Sequence, residues 1–284
     1  MAFFSRIRAF RIIEDHVSEL VGFEKQKAEA ILEVYRRIRK GLGRRLSVWS
    51  KRDLRERFTA QKARGLVAQV EEALRAFRDN VGPEVGKASG EAMRLSFDQL
   101  FKEIEFFEEK FQGGVIPINL EALSYAMDQP NFLVEQYQVS IDRWSGETRT
   151  RIGDSIREGI AAEKTSQEIL TGLMDNFEGY EWQLRRIVRT ELHSIYNKSK
   201  IDGLKEQRKA EPTMKKALYH PMDSRTADDS LYLKDMNPII PLEEPFRYVW
   251  QPPDSNKQYF REFMAPPDRP NDRAVLIPYS DKWQ

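Results

Sequence analysis

Eleven of the fourteen prolines lie at or beyond Pro212, and no glycine lies beyond Gly203. Proline fixes φ and carries no backbone donor, so a segment this rich in it cannot continue as long helix. Without glycine, two-residue primed turns are disfavoured, and longer connections built on Asp and Asn are expected instead. The chain therefore divides near residue 209 into a helix-forming stretch and a tail of short strands. Strands are expected from Lys216 to Tyr219, Ile239 to Leu242, Arg247 to Gln251 and Ala274 to Pro278. The fold class that follows is mainly α, with long N-terminal helices and a small α+β part at the C-terminus.

Upstream, apolar residues recur at helical spacing. Ile31, Val34, Tyr35, Ile38 and Leu42 form one stripe. Val67, Val70, Leu74 and Phe77 form a second, on a helix expected to start with Ser50 or Asp53 as N-cap. Met93, Phe97, Leu100, Phe101, Ile104 and Phe111 form a third, ended by Gln112-Gly113-Gly114 and Pro117. Shorter helices are expected next, capped by Asn119, Asn131 and Ser145. Thr165-Ser166-Gln167-Glu168 has the form of a capping box. A separate, longer helix is expected from about Tyr180 to Arg208, with Leu184, Ile187, Val188, Leu192, Ile195 and Tyr196 turned inward.

With 284 residues the chain can hold one large or two modest domains. The absence of cysteine excludes disulfides, thiolate metal sites and cysteine catalysis, and fits a reducing compartment. No apolar run approaches the roughly eighteen residues of a membrane span. The start, Met1 to Arg8, is basic and apolar but has no continuous hydrophobic region or cleavage site, which argues against a signal peptide. It remains compatible with an amphipathic segment docking on a partner or a membrane. The formal net charge of +1 hides a segregation. Twelve Lys/Arg face two acids from Arg36 to Arg64, and ten acids face four bases from Glu84 to Glu135. Such a chain presents different surfaces to different partners, although any single charge is more often just solvated.

Several constellations could carry chemistry. Arg189 and Glu191 are two apart on a helix and cannot pair with each other. Tail residues Asp223, Arg225, Asp228, Asp268 and Arg269 are candidate partners, and exposure to solvent is an equal alternative. His193 with Glu191 and Asp223 can be drawn as an acid/base site, but a lone helical histidine is more often a packed residue. No His-x-x-x-His or His-Glu-x-x-His spacing occurs. Asp228, Asp229 and Asp235 lack the alternation and glycine of a calcium loop. Trp49, Trp144, Trp182, Trp250 and Trp283 are scattered, as core or interface anchors are, rather than grouped as a base-stacking platform. Arg36, Arg37, Arg39, Lys40, Arg44, Arg45, Lys51 and Arg52 are candidate contacts to DNA phosphates or to an acidic protein. The protein partner is favoured slightly, because no nucleic-acid-binding motif accompanies the charge.

Taken in order, Arg186-Ile187-Val188-Arg189-Thr190-Glu191 with Asn197 and Gly203, Asp223-Ser224-Arg225-Thr226, Leu242 to Phe246, and Pro267-Asp268-Arg269-Pro270-Asn271 resemble the phage Mu F-like minor head (head morphogenesis) proteins. The resemblance covers roughly residues 145 to 280. It implies a helical N-terminal region over 1–144 and an α+β domain over 145–284, its small sheet packed on a central helix. It also implies a polar network of Arg189, Thr190, Glu191, Asn197, Asp223, Arg225, Asp268 and Arg269 that joins tail to helix. The implied role is structural and not enzymatic: a minor capsid component present in few copies per virion. Such proteins associate with the portal vertex of the bacteriophage head and support head morphogenesis and DNA packaging or ejection. They reach the virion after assembly in the host cytoplasm. Portal protein and major capsid protein are the implied partners, with packaged double-stranded DNA as a non-specific contact.

The chain departs from the family at positions where many members carry cysteines in an arrangement suggesting a metal clip. Asp272-Arg273-Ala274 follows the Arg-Pro-Asn here, and Leu233-Lys234-Asp235 replaces a Leu-Asp-Gly turn. Neither metal nor cofactor is expected. Two other classes compete with the structural role: a sequence-independent DNA-binding virion protein using residues 36–64, and a toxin-like enzyme centred on Glu191, His193 and Asp223.

Overall fold

The computed structural model describes residues 11–46, 58–111, 131–221, 232, 236, 238–269 and 272–283. Four long helices come first: α1 (Ile12–Leu46), α2 (Ala60–Phe111), α3 (Asn131–Ala161) and α4 (Ser166–Arg208). Five strands follow: β1 (Met214–Tyr219), β2 (Ile239–Ile240), β3 (Phe246–Trp250), β4 (Tyr259–Phe263) and β5 (Val275–Ser280). The fold is thus mainly α, with a small antiparallel sheet region at the C-terminal end, as the proline distribution implies.

The helices are fewer and longer than the punctuation in the sequence suggests. The stripes at 67–77 and 93–111 belong to one helix, α2, which passes through Pro83. Val81, Val85, Ala88 and Ala92 are buried and keep the apolar face continuous there. Burial over many turns outweighs the local cost of one proline and several glycines. Ser145 is buried within α3 and caps nothing. α4 is likewise continuous from Ser166, because Leu173, Phe177 and Tyr180 extend its buried face to Leu184.

Helix starts were legible where the signal was local. Thr165 N–H donates to Glu168 Oε2 at 2.7 Å, and Glu168 N–H donates back to Thr165 Oγ1 at 3.3 Å, completing the capping box. Lys62 N–H donates to Thr59 Oγ1 at 3.3 Å at the start of α2. The expected caps Ser50, Asp53 and Asn119 fall outside the described residues. At the other end of α3, Glu163 takes the left-handed conformation with φ 52°, which glycine more often supplies at such a stop.

Two compact units emerge, and each draws on all four helices. The bundle unit comprises Gln26–Lys87 and Val134–Val188. Each helix contributes one ring to its centre. Tyr35 packs edge-on against Phe77 and Trp144 at centroid distances of 5.8 and 5.6 Å, and Phe77 meets Trp144 at 5.4 Å. Phe177 completes the layer, and the Tyr35 hydroxyl donates to its carbonyl at 2.8 Å. That bond satisfies the one polar atom the ring brings inward.

The sheet unit comprises Met1–Lys25, Ala88–Leu133 and Arg189–Gln284. β1 is central, flanked by β2 and β5, and both pairings are antiparallel. One face, with Ala217, Tyr219, Val275 and Ile277, packs with Ile13, Val17, Leu20, Leu100, Ile104, Phe107 and Leu204. The other face, with Leu218 and Leu276, packs with Ile201 and with Phe246 and Tyr248 of β3. Burial on both faces explains why every residue of β5 is buried and no alternation shows. β3 and β4 form a hairpin joined by residues 251–258. This long connection fits the absence of glycine, although Ser255 organises it rather than Asp or Asn: its carbonyl accepts from Gln251 Nε2 and its hydroxyl from Lys257 N–H. β4 was not expected. Its burial is low throughout, so its sequence shows no alternating pattern.

Gly203 marks a close approach of α4 to α2, since a Cβ there would lie 2.6 Å from Leu100 Cδ2 and 3.0 Å from Phe97 Cε1. Both neighbours are buried and cannot turn aside. Alanine would gain about 1 kcal/mol of helix propensity, against overpacking of about 1–3 kcal/mol. Gly203→Ala is therefore expected to lower the urea midpoint, where an exposed helical glycine would raise it.

Candidate functional site

The polar residues of α4 that point into the sheet unit repeat every three or four positions: His193, Tyr196, Asn197 and Lys200. They form two groups. His193 and Asn197 hold the tail, while Tyr196 and Lys200 enter a buried charge network.

Among the described residues β5 is an edge strand, so its outer amides and carbonyls have no strand partner there. Ala274 and Leu276 are two apart and present their backbone groups to the same edge. Leu276 N–H donates to Asn197 Oδ1 at 2.8 Å, and His193 Nε2 donates to the Ala274 carbonyl at 2.7 Å. Asn197 Nδ2 donates to the His193 carbonyl at 3.1 Å, which fixes the amide's orientation. His193 Nδ1 meets Glu24 Oε1 of α1 at 2.7 Å. A carbonyl can only accept, so Nε2 carries a proton; an ionised Glu24 requires one on Nδ1 as well. Burial alone would lower the His193 pKa, but the Glu24 charge and hydrogen bond, with Asp272 and the Ala274 carbonyl, hold it above the ordinary value.

The second group surrounds Lys200 and Glu103, both completely buried. Lys200 Nζ donates to Glu103 Oε1 at 2.6 Å and to the Tyr196 hydroxyl at 3.1 Å. His16 Nδ1 lies 2.9 Å from the same Glu103 oxygen. The Tyr196 hydroxyl donates to Gln99 Oε1 at 2.5 Å, and Gln99 Nε2 donates to Glu19 Oε2 at 2.8 Å. Burial pushes the Lys200 pKa down against the pull of Glu103, and pushes that of Tyr196 up.

A third feature closes the tail. Asp272 accepts from Asp268 N–H at 3.2 Å through Oδ2 and from Ala274 N–H at 3.0 Å through Oδ1, stapling the turn before β5. Tyr248 donates to Asp268 Oδ2 at 3.0 Å. His220, just after β1, is 5% exposed, and neither ring nitrogen has a hydrogen-bond partner among the described residues. Burial drives its pKa down to about 4, with Asp272 opposing and Arg269 reinforcing the shift.

Of the polar network expected from the sequence, Asn197 joins helix to tail through its hydrogen bond from Leu276 N–H. Asp268 serves the tail's own turn. The carboxylate near Arg189 is not from the tail but from α1, with Nε 3.7 Å from Glu24 Oε2. Thr190 and Glu191 are half-buried on α4, and Arg269 lies close enough to His220 to act on its charge. Asp223 and Arg225 fall outside the described residues, as do Asp228, Asp229 and Asp235. His193, drawn as a possible acid/base group, is 3% exposed with both nitrogens engaged. Among the described residues no three His, Asp or Glu side chains converge as metal ligands would, and no helix is long and apolar enough to cross a membrane.

In the basic stretch, two arginines are already committed. Arg36 donates to Glu181 and Glu29 at 3.0 and 3.1 Å, and Arg39 lies 3.8 Å from Glu181. Arg37, Lys40 and Arg44 are exposed. The Arg45 side chain, Lys51 and Arg52 are outside the described residues. Comparison with family models, curated proteins and solved structures returns no match.

Glu24, Glu103 and Gln99 were not foreseen, since they lie 97 or more positions from their partners on α4, and His16 lies 87 positions from Glu103. Lys200 did carry a signal: Leu192, Tyr196, Lys200 and Leu204 follow at four-residue spacing, which places the lysine on the apolar stripe.

Two outcomes follow. Lys200→Met alone removes the lysine from a buried carboxylate that keeps His16 beside it, and should cost about 3–5 kcal/mol in chemical denaturation. Adding Glu103→Leu should recover most of that loss. The histidines should also give stability a maximum near pH 6.5. His220 binds its proton more weakly folded than unfolded, so stability rises from about pH 4 to about 6.5. His193 binds its proton more tightly folded, so its contribution is complete below about 6.5 and is lost above, through its raised pKa. In thermal melts against pH, His193→Gln should remove the falling limb and His220→Gln the histidine part of the rising one.

Proposed function

We propose that the chain is a minor head protein of a bacteriophage, of the phage Mu F-like class, bound at the portal vertex and serving head morphogenesis and DNA packaging or ejection. The observation that carries this reading is the bond from Leu276 N–H to Asn197. Asn197 belongs to the helical motif and Leu276 to the strand after the Arg-Pro-Asn segment, so the two ends of the colinear motif set meet in one core. The departure from the family has a physical counterpart. Where relatives carry cysteine after that segment, this chain has Asp272, whose two oxygens staple the same turn. His193 and Asn197 of α4 are spent on holding the tail, which suits an assembly component.

Quantitative mass spectrometry of proheads and mature heads, with pull-down on the portal protein of the same phage, tests the reading. A few copies per particle and co-purification with portal are expected. Absence from both particle types, with no retention on portal, would overturn it.

A further inference from the structure

We propose a second site, in the bundle unit: an arginine-lined groove that takes the phosphate backbone of duplex DNA without reading its sequence. It goes beyond the portal reading and does not rest on it. The groove, of about 610 Å³, lies between residues 71–78 of α2 and 142–151 of α3.

Five arginines open into this groove against three carboxylates. Arg149 lies 3.7 Å from Glu71, and Arg151 Nη1 donates to Gln183 at 3.4 Å. Arg75, Arg78 and Arg143 are exposed and make no ion pair or hydrogen bond with the described residues. A guanidinium presents five donors in a rigid fork that matches the oxygens of a phosphate. Three such forks around one cavity, none used internally, are complementary to a ligand carrying several anionic oxygens.

The rest of the lining selects among polyanions. Leu74 is its one large apolar side chain, and no aromatic ring lines it. Trp144, next in sequence to Arg143, is turned into the core against Tyr35 and Phe77. A nucleotide pocket needs an apolar wall for the base, and single-stranded sites stack bases on aromatic platforms. A duplex offers only its backbone to such a surface. From Arg143 to Arg151 α3 rises about 12 Å, the length over which three or four phosphates of one strand follow one another.

The surroundings favour the same ligand. The bundle unit holds 23 Lys/Arg and 18 Asp/Glu, a net of +5, while the sheet unit holds 23 and 27, a net of −4. Arg37 of α1, also exposed and unpartnered among the described residues, opens onto a second groove of about 240 Å³ bordered by residues 72–76 of α2. A net positive charge on the unit that carries the free donors favours the approach of a polyanion.

Fluorescence anisotropy of the full chain with a labelled 30-base-pair duplex, from 50 to 200 mM salt, tests this. Log affinity should fall linearly with log salt, by about 0.9 per phosphate contacted. Arg75→Gln, Arg78→Gln and Arg143→Gln together should weaken binding at least tenfold, equally for unrelated sequences, and reduce the slope by about two to three. Circular dichroism melts check that the triple variant is folded. Glu147→Gln, which removes an opposing carboxylate from the lining, should tighten binding and so gives an independent reading if the triple variant unfolds. Unchanged affinity and slope in the triple variant, or no binding of duplex by the natural chain, overturns the proposal. So does binding of tripolyphosphate or single strands in preference to duplex, which would reassign the groove to another anion. None of these results bears on presence in the virion, so the two readings fail separately.

Discussion

The bonds from His193 to the Ala274 carbonyl and from Leu276 N–H to Asn197 satisfy the edge of β5 that no strand among the described residues pairs with. A helix cannot pair with a sheet edge through its own backbone, whose donors and acceptors are consumed within it. Two side chains one turn apart can, provided that they point the same way and are held rigid. Glu24 supplies that rigidity for His193, and the His193 carbonyl supplies it for Asn197. The tail, α4 and the first turns of α1 are therefore interdependent. An exposed edge of this length and apolarity would otherwise be a template for aggregation.

The Lys200–Glu103 pair imposes a different constraint. Desolvating two charges cancels most of their attraction, so the pair contributes little net stability. What it enforces is alignment. His16, Gln99, Glu103, Tyr196 and Lys200 come from three helices and satisfy one another in the observed register. A slip of one turn would leave a fully buried charge without its partner. The apolar contacts around Gly203, by contrast, set how near α2 and α4 approach but tolerate small sliding.

What could be read in the sequence was what depends on near neighbours. The Thr165 capping box and the end of α4 at Arg208 were found where expected, and the four anticipated strands lie within about two residues of their expected positions. Breaks proposed inside α2, α3 and α4 failed because a glycine or serine costs a helix little once its other face is buried. The partners on α1 and α2 were hidden for the opposite reason. Nothing local distinguishes Glu103 from the exposed carboxylates around it, and only the position of Lys200 on an apolar stripe hinted that a buried acid must exist. The Asp272 carboxylate, which accepts two amides before β5, could not be read from the sequence, because both bonds depend on the local backbone path.

Charge runs proved poor guides to accessible charge. Arg36 and Arg39 head the basic stretch yet are matched by Glu29 and Glu181, while Glu103, within the acidic stretch, neutralises a buried lysine. Arg75, Arg78 and Arg143 belong to no run at all, and they retain unfilled donors. A partner meets only the charge that folding leaves unpaired, and a carboxylate already shared with a neighbouring helix screens its arginine from any ligand. The surface available to a polyanion is therefore determined by pairing across helices, and the count of Lys and Arg along the chain bounds it only from above.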